Sequence, residues 1–185
     1  AIDISDAMLQ KLAEHSRQLN LPVQTVRAEF ETLAQSLDCS FNAVFCLGNS
    51  LAHLLSNEQL HAALGSFFSV LNPGGYLFLQ ILNYDRILAN RERVQNVKEI
   101  GDTTFTRFYD YEGEFVRFNI LKSEKKGDKT EQSLNTITLN PIRKAELEEK
   151  LTSAGFADVS FFGGISLEPY ISETSKDLVV VARKP

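Results

Sequence analysis

Two apolar runs with a helical pattern between them constrain this chain most. Phe41-Asn42-Ala43-Val44-Phe45-Cys46-Leu47 and Tyr76-Leu77-Phe78-Leu79-Gln80-Ile81-Leu82 are nearly continuous in apolar character. Strands of a parallel sheet covered on both faces read this way. Between the runs, Ser56 stands as an N-cap and the helical pattern extends from about Asn57 to Leu71. Glu58 falls in the first turn, where the helix dipole favours an anion. Asn72-Pro73-Gly74-Gly75 then turns the chain, because proline stops a helix and glycine tolerates positive φ. Strand, helix, strand in this order predicts a right-handed parallel crossover and therefore an α/β layer fold.

The flanking segments fit the same architecture. Ala1-Ile2-Asp3-Ile4-Ser5 has the character of a buried parallel strand ending in an acid. A helix is expected from Asp6 to Leu19 with Ser5 as its cap, and a short strand over Val23–Ala28 after Leu21-Pro22. Beyond Asn83 the pattern changes. A helix-like piece from Asp85 to about Arg93 precedes a polar stretch, then period-two segments near Thr103–Tyr111, Glu114–Ser123 and Thr130–Leu139. These predict a three-stranded antiparallel sheet, within residues 100–140, inserted into one domain spanning 1–185. The core resumes with a helix over Ile142–Ala154, ended by Gly155. The last strands run over Ala157–Phe162 and Asp177–Arg183, joined by a long loop through Pro169.

Composition excludes several roles. The 185 residues are 43% hydrophobic and 23% charged, which suits one soluble globular domain. A formal net charge of −5 argues against nucleic acid or an anionic membrane as main partner. No apolar run approaches the roughly 20 residues of a membrane span. Cys39 and Cys46 have no metal-like spacing, and no signal-peptide pattern opens the chain, so the expected setting is reducing and cytoplasmic. His15 and His61 lie on predicted helices without acid or Ser partners, and no metal or Ser-His-Asp constellation is present.

An acid at the carboxyl end of a strand in a nucleotide-binding α/β domain hydrogen-bonds the ribose hydroxyls. The Gly-rich turn of such a domain lies about 20 residues upstream, which from Asp3 falls before Ala1. The expectation is therefore a sheet truncated at its N-terminus, without its first strand and Gly-rich loop. Roughly 40–60 further residues, or a second chain, would complete it. Open backbone edges cost on the order of 1–3 kcal/mol per unpaired group, against a total stability of about 5–15 kcal/mol. The chain as written is thus not expected to be stable by itself.

Three segments carry a resemblance: Ala43-Val44-Phe45-Cys46-Leu47-Gly48-Asn49-Ser50-Leu51-Ala52-His53-Leu54, then Leu71-Asn72-Pro73-Gly74-Gly75-Tyr76-Leu77-Phe78, then Asn83-Tyr84-Asp85-Arg86-Ile87-Leu88. In this order and spacing the chain resembles class I S-adenosylmethionine-dependent methyltransferases, and within them the glycine N-methyltransferase-like group. The Ala154-Gly155-Phe156 turn and the strand Leu178–Arg183 extend the likeness to nearly the whole chain. The fold it implies is an α/β Rossmann-like methyltransferase sheet with an inserted antiparallel β cap.

The resemblance also implies a site. Asp3 matches the acid that takes both ribose hydroxyls, and Glu29 and Phe30 fall where the family meets adenine, although Asp is more usual than Glu at that point. Leu47, Gly48 and Asn49 match the loop lining the methionine part of S-adenosylmethionine and its methyl group. A glycine there lets backbone carbonyls approach a sulfonium; Ser50 can instead cap a short turn. Asn83 matches a residue that helps hold a small substrate's carboxylate, with Tyr84 beside it. His53 lies in the resembling motif as either substrate contact or packing residue. Arg107, Tyr109 and Arg117 sit on the predicted cap, where an arginine can clamp a carboxylate in bidentate fashion. On an alternating strand the same residues equally form the solvent face.

The activity so implied is methyl transfer from S-adenosylmethionine to a small amine or carboxylate-bearing molecule. Because transfer from a sulfonium is an in-line displacement, positioning does most of the work and no catalytic triad is required. Two other readings stay open on the sequence. The chain can be a non-catalytic fragment or partner subunit derived from this fold. Less well supported, it can be a nicotinamide-dependent oxidoreductase, whose Gly-rich turn the sequence lacks.

Overall fold

In the computed structural model, which describes residues 1–185, the two apolar runs lie side by side as parallel strands. The elements in chain order are β1 (Ile2–Asp3), α1 (Asp6–Gln18), β2 (Val26–Arg27), β3 (Phe41–Cys46), α2 (Asn57–Val70), β4 (Leu71–Leu82), α3 (Tyr84–Asn90), β5 (Val94–Ile100), β6 (Thr103–Glu112), β7 (Phe115–Lys126), β8 (Lys129–Leu139), α4 (Lys144–Ser153), β9 (Ala157–Phe162) and β10 (Asp177–Arg183). Strands β3 and β4 join β10 and β9 in a four-stranded sheet of order β3-β4-β10-β9. β10 runs antiparallel to both of its neighbours.

The core sits on one face of this sheet. Leu60, Leu64 and Phe67 of α2, with Leu147 and Leu151 of α4, bury against Leu77, Leu79 and Ile81 of β4 and Val180 and Ala182 of β10. Each such side chain contributes roughly 1.5–3 kcal/mol on leaving water. The opposite face is open: Phe45 and Phe78, a registered pair, stack at 4.7 Å with Phe45 64% exposed.

Strands β1 and β2 form a separate two-stranded parallel sheet, Ile2 facing Val26 and Asp3 facing Arg27. No ladder joins this pair to β3, whose outer edge carries no strand. The N-terminal part is instead held on α2. The Ser66 hydroxyl donates to the Glu31 carbonyl (2.9 Å), Gln59 Nε2 donates to Glu31 Oε1 (3.1 Å), and Phe30 packs edge-on against Phe67.

Several boundaries differ from the sequence expectation, for physical reasons. The predicted strand over Val23–Ala28 shrinks to Val26–Arg27, because its only partner is the two-residue β1. β4 starts at Leu71 rather than Tyr76: the Asn72–Gly75 turn is absorbed as an irregularity, with Phe41 opposite Leu71 but Ala43 already opposite Tyr76. α3 stops at Asn90, where Arg91 takes a left-handed φ of 52°. The cap has four strands, not three, in the order β5-β6-β7-β8. The extra strand β5 places its apolar residues at 94, 97 and 100, a spacing of three that hides a strand. The ladder to β6, irregular between Val94 and Asn96, is what makes it one.

The cap is tied to the main sheet at defined points. Asn140 donates its backbone N–H to the Ala52 carbonyl (2.8 Å) and its side chain to the Leu54 carbonyl (3.0 Å). The Tyr111 hydroxyl donates to the Glu92 carbonyl at 3.0 Å. The Asn140 bonds hold the end of β8 against the turn that follows β3.

Candidate active site

The loop after β3 is set by its backbone. Gly48 and Asn49 both take left-handed conformations, with φ of +75° and 65°. A Cβ at Gly48 would meet no atom within 4 Å, so the dihedral demands glycine and the space above the loop is open. The Gly48 N–H donates to Gln80 Oε1 (2.6 Å), and Gln80 Nε2 donates to Asp177 Oδ1 (2.8 Å). Asn49 is held from both ends of its amide: Oδ1 accepts from the Leu82 N–H (3.0 Å), and Nδ2 donates to the Tyr84 hydroxyl (2.9 Å). Ser50 does not cap this turn: Asn49 holds the cap position without a side-chain bond, and the Ser50 hydroxyl donates to the Leu47 carbonyl (2.8 Å), while the Leu47 side chain is exposed. β4 thus fixes the loop that β3 ends in.

Asp3 ends β1 half-buried, and its Oδ1 accepts from the Ser5 N–H (2.8 Å). Its second carboxylate oxygen makes no bond within the protein, leaving an acceptor for a vicinal diol. Glu29 is exposed and forms no side-chain hydrogen bond, whereas Phe30 is half-buried with its ring against Phe67. The acid that is engaged is Glu31, which faces α2.

The expected substrate residues divide sharply. Asn83 is 0% exposed and saturated. Its Nδ2 donates to the Ser172 and Ser175 carbonyls (2.9 Å each), while Oδ1 accepts from the Tyr170 hydroxyl (2.7 Å) and the Arg86 N–H (3.2 Å). No donor or acceptor of that amide is left for a substrate, so Asn83 acts here as the junction between β4, α3 and the 163–176 loop. Tyr84 is equally buried, its hydroxyl turned to Asn49, and burial pushes its phenol well above the usual range. Arg107 lies on β6 and donates to Asn96 Oδ1 (3.0 Å), and exposed Arg117 pairs with Glu112 (2.9 Å). Both arginines expected to clamp a carboxylate are thereby engaged on the cap's own surface. His53 is exposed at the end of a 3-10 turn whose Leu51 and Ala52 are buried, and its side chain makes no hydrogen bond.

Tyr109 is different. It is 5% exposed, its ring lies against Tyr111 and Phe118, and its hydroxyl has no hydrogen-bond partner. Burial, then the neighbouring Tyr111, raises its pKa; Arg86 acts in the opposite sense, which places that guanidinium within electrostatic reach of the phenol. Tyr84 feels Tyr109 in the same way. The structure therefore gathers Asn49, Tyr84, Arg86 and Tyr109 at the carboxyl ends of β3 and β4. Arg86 and Gln80 had not been singled out from the sequence, although both lie within or beside the quoted motifs. A polar cleft of about 740 Å³ lies elsewhere, between the start of α2 and the β6–β7 turn, and is lined by none of these residues.

Comparison with known proteins agrees with this geometry. Residues 1–75 match the model of a methyltransferase domain. The glycine/sarcosine N-methyltransferase of Aphanothece halophytica is 29% identical over 185 residues, which is 100% of this chain and 67% of that protein. The glycine/sarcosine N-methyltransferase of Halorhodospira halochloris is 28% identical over 166 residues, 87% of this chain but only 58% of its own length. The chain thus spans about three fifths to two thirds of these curated relatives. An S-adenosylmethionine-dependent methyltransferase from Clostridium acetobutylicum superposes with a TM-score of 0.86 at 13% identity, covering 100% of this chain and 74% of that one, a likeness of fold. The chain thus carries a methyltransferase-domain match over residues 1–75 and is similar over its length to glycine/sarcosine N-methyltransferases, on an S-adenosylmethionine-dependent methyltransferase fold.

Proposed function

We propose that the protein carries a methyl group from S-adenosylmethionine to the amine of a small, carboxylate-bearing molecule. The observation that carries this reading is the Leu47–Asn49 loop, held by Gln80, Leu82 and Tyr84 with open space above Gly48. Its two relatives named above act on glycine and sarcosine by name, which are small amines of this kind. The net charge of −5 suits such an acceptor better than a nucleic acid.

Asp3 would hold the ribose diol, Phe30 the adenine edge and Leu47–Asn49 the methionine end. The cofactor, when bound, supplies an electrophilic methyl on a sulfonium. The protein's share is geometric: the loop and the cap line up the amine's lone pair, and the acceptor must arrive unprotonated or lose its proton to water or a base. Tyr109 is the side chain with a free hydroxyl at this place, and its raised pKa keeps it a hydrogen-bond donor at neutral pH.

The test is calorimetric titration with S-adenosylmethionine and with NADH, followed by transfer of a labelled methyl group to glycine and to sarcosine. Micromolar binding of S-adenosylmethionine and label on the amine are expected. Binding of the nicotinamide dinucleotide without S-adenosylmethionine would sink the reading.

A further inference from the structure

We propose that Arg86 is the anion receptor of this site and grips the carboxylate of the methyl acceptor. The inference rests on the methyltransferase reading for the identity of the anion, and on the arginine's own surroundings for the rest.

The chain's arginines are mostly spoken for. Arg27, Arg93, Arg117 and Arg183 form ion pairs, and Arg107 and Arg17 donate to oxygen acceptors. Arg91 and Arg143 make no polar bond but are exposed, where water satisfies them. Arg86 alone combines a shielded Nε with no hydrogen-bond partner. A charged donor shut away from water without an acceptor is costly, and its natural complement is an anion that arrives from outside.

No acid of the protein is placed to supply that complement. Asp85, the next residue, is turned to the other side, where its Oδ2 accepts from the Tyr170 hydroxyl (3.0 Å) and the Lys144 N–H (3.1 Å). Asp110, next to Tyr109 on β6, accepts from Arg93 (2.9 Å) and Asn119 (2.9 Å). Asp85 and Asp110 thus have other partners, and no carboxylate pairs with Arg86.

Its position suits a substrate. The Arg86 N–H donates to Asn83 Oδ1, which pins the first turn of α3 to the end of β4. Two residues earlier, Tyr84 is bonded to Asn49 of the loop after β3. A carboxylate on Arg86 would so be anchored through α3 to the same frame that holds the transfer loop. Guanidinium presents two parallel N–H groups to a carboxylate. The cap arginines 107 and 117, occupied by Asn96 and Glu112, are not needed for this role.

The experiment uses acetate first and needs no cofactor. In protein labelled with 15N-arginine, the Arg86 Nε–H signal is assigned by its loss in Arg86→Lys. Acetate should shift that signal saturably, while methylammonium chloride should not. With S-adenosylmethionine present, Arg86→Lys and Arg86→Gln should each raise KM for glycine by about tenfold or more, with kcat and S-adenosylmethionine affinity kept. KM for ethanolamine, an amine without a carboxylate, should stay as in the unmodified protein. An Arg86 signal indifferent to acetate, or a glycine KM untouched in both variants, overturns the proposal while leaving the methyltransferase reading in place. A saturable acetate shift in protein that binds no S-adenosylmethionine keeps the anion receptor and overturns that reading instead.

Discussion

Asn83 shows how a residue can match a functional motif and be spent on structure. Three of its four hydrogen bonds, to Ser172, Ser175 and Tyr170, cross more than 80 residues of sequence, and the fourth is to Arg86. Replacing it by alanine orphans two carbonyls and an N–H, each buried group costing about 1–3 kcal/mol when unsatisfied, while the Tyr170 hydroxyl keeps Asp85. We expect Asn83→Ala to lose about 3 kcal/mol in urea unfolding, allowing for water that refills part of the gap. A loss under about 1 kcal/mol would show that the junction is not held by this amide. The motif Asn83-Tyr84-Asp85-Arg86 was readable as a place, but the division of labour within it was not. Which of four adjacent polar residues is saturated and which is free depends on Tyr170 and Lys144, and no local pattern encodes those contacts.

At the scale of elements, the end of α2 is the least conventional feature. The helix passes into β4 through an extended Leu71 (φ −84°, ψ 142°), and Asn72 after it takes no left-handed φ, so the last carbonyls of α2 need partners from elsewhere. Lys184 supplies them: Nζ donates to the Phe68 carbonyl (2.8 Å) and the Leu71 carbonyl (2.7 Å), and lies 4.6 Å from the centre of the Phe68 ring. Lys184→Met keeps the stem and removes the donor. It should cost about 1–2 kcal/mol by thermal or urea unfolding and leave the far-ultraviolet spectrum unchanged. If stability holds, water rather than Lys184 satisfies those carbonyls. The strand–helix–strand unit, the α1 cap at Ser5 and the closing strands were all legible, because apolar periods and caps are local signals. Strand β5 and the early start of β4 were not, since only their ladder partners define them.

For the molecule as a whole, its buried ionisable groups set its behaviour in alkali. Burial pushes the Cys46 thiol from its ordinary 9.0 up to about 12, and burial likewise raises Tyr84, Tyr109, Tyr111 and Tyr170. The unfolded chain gives up these protons first, so stability is complete below pH 9 and falls as the pH rises from there through the raised folded values. Urea midpoints measured from pH 8 to 11 should decline, with ionisation of buried Tyr84 and Tyr109, followed by their ring NMR signals, accompanying unfolding rather than preceding it. Ionisation of either ring while the fold is intact would contradict this. The same global arrangement marks the boundary of what a chain can say about itself. The sequence by itself determined the α/β class, the parallel crossover, the inserted cap and the likeness to glycine N-methyltransferase-like enzymes, because these are written in short-range periodicity and in ordered motifs. Tertiary structure alone decided that β10 runs between β4 and β9, that the cap has a fourth strand, and that Arg107 and Arg117 are engaged while Arg86 is left unpaired. Pairing and desolvation are sums over neighbours distant in sequence, so a side chain's freedom to bind exists only once the fold has assigned its partners.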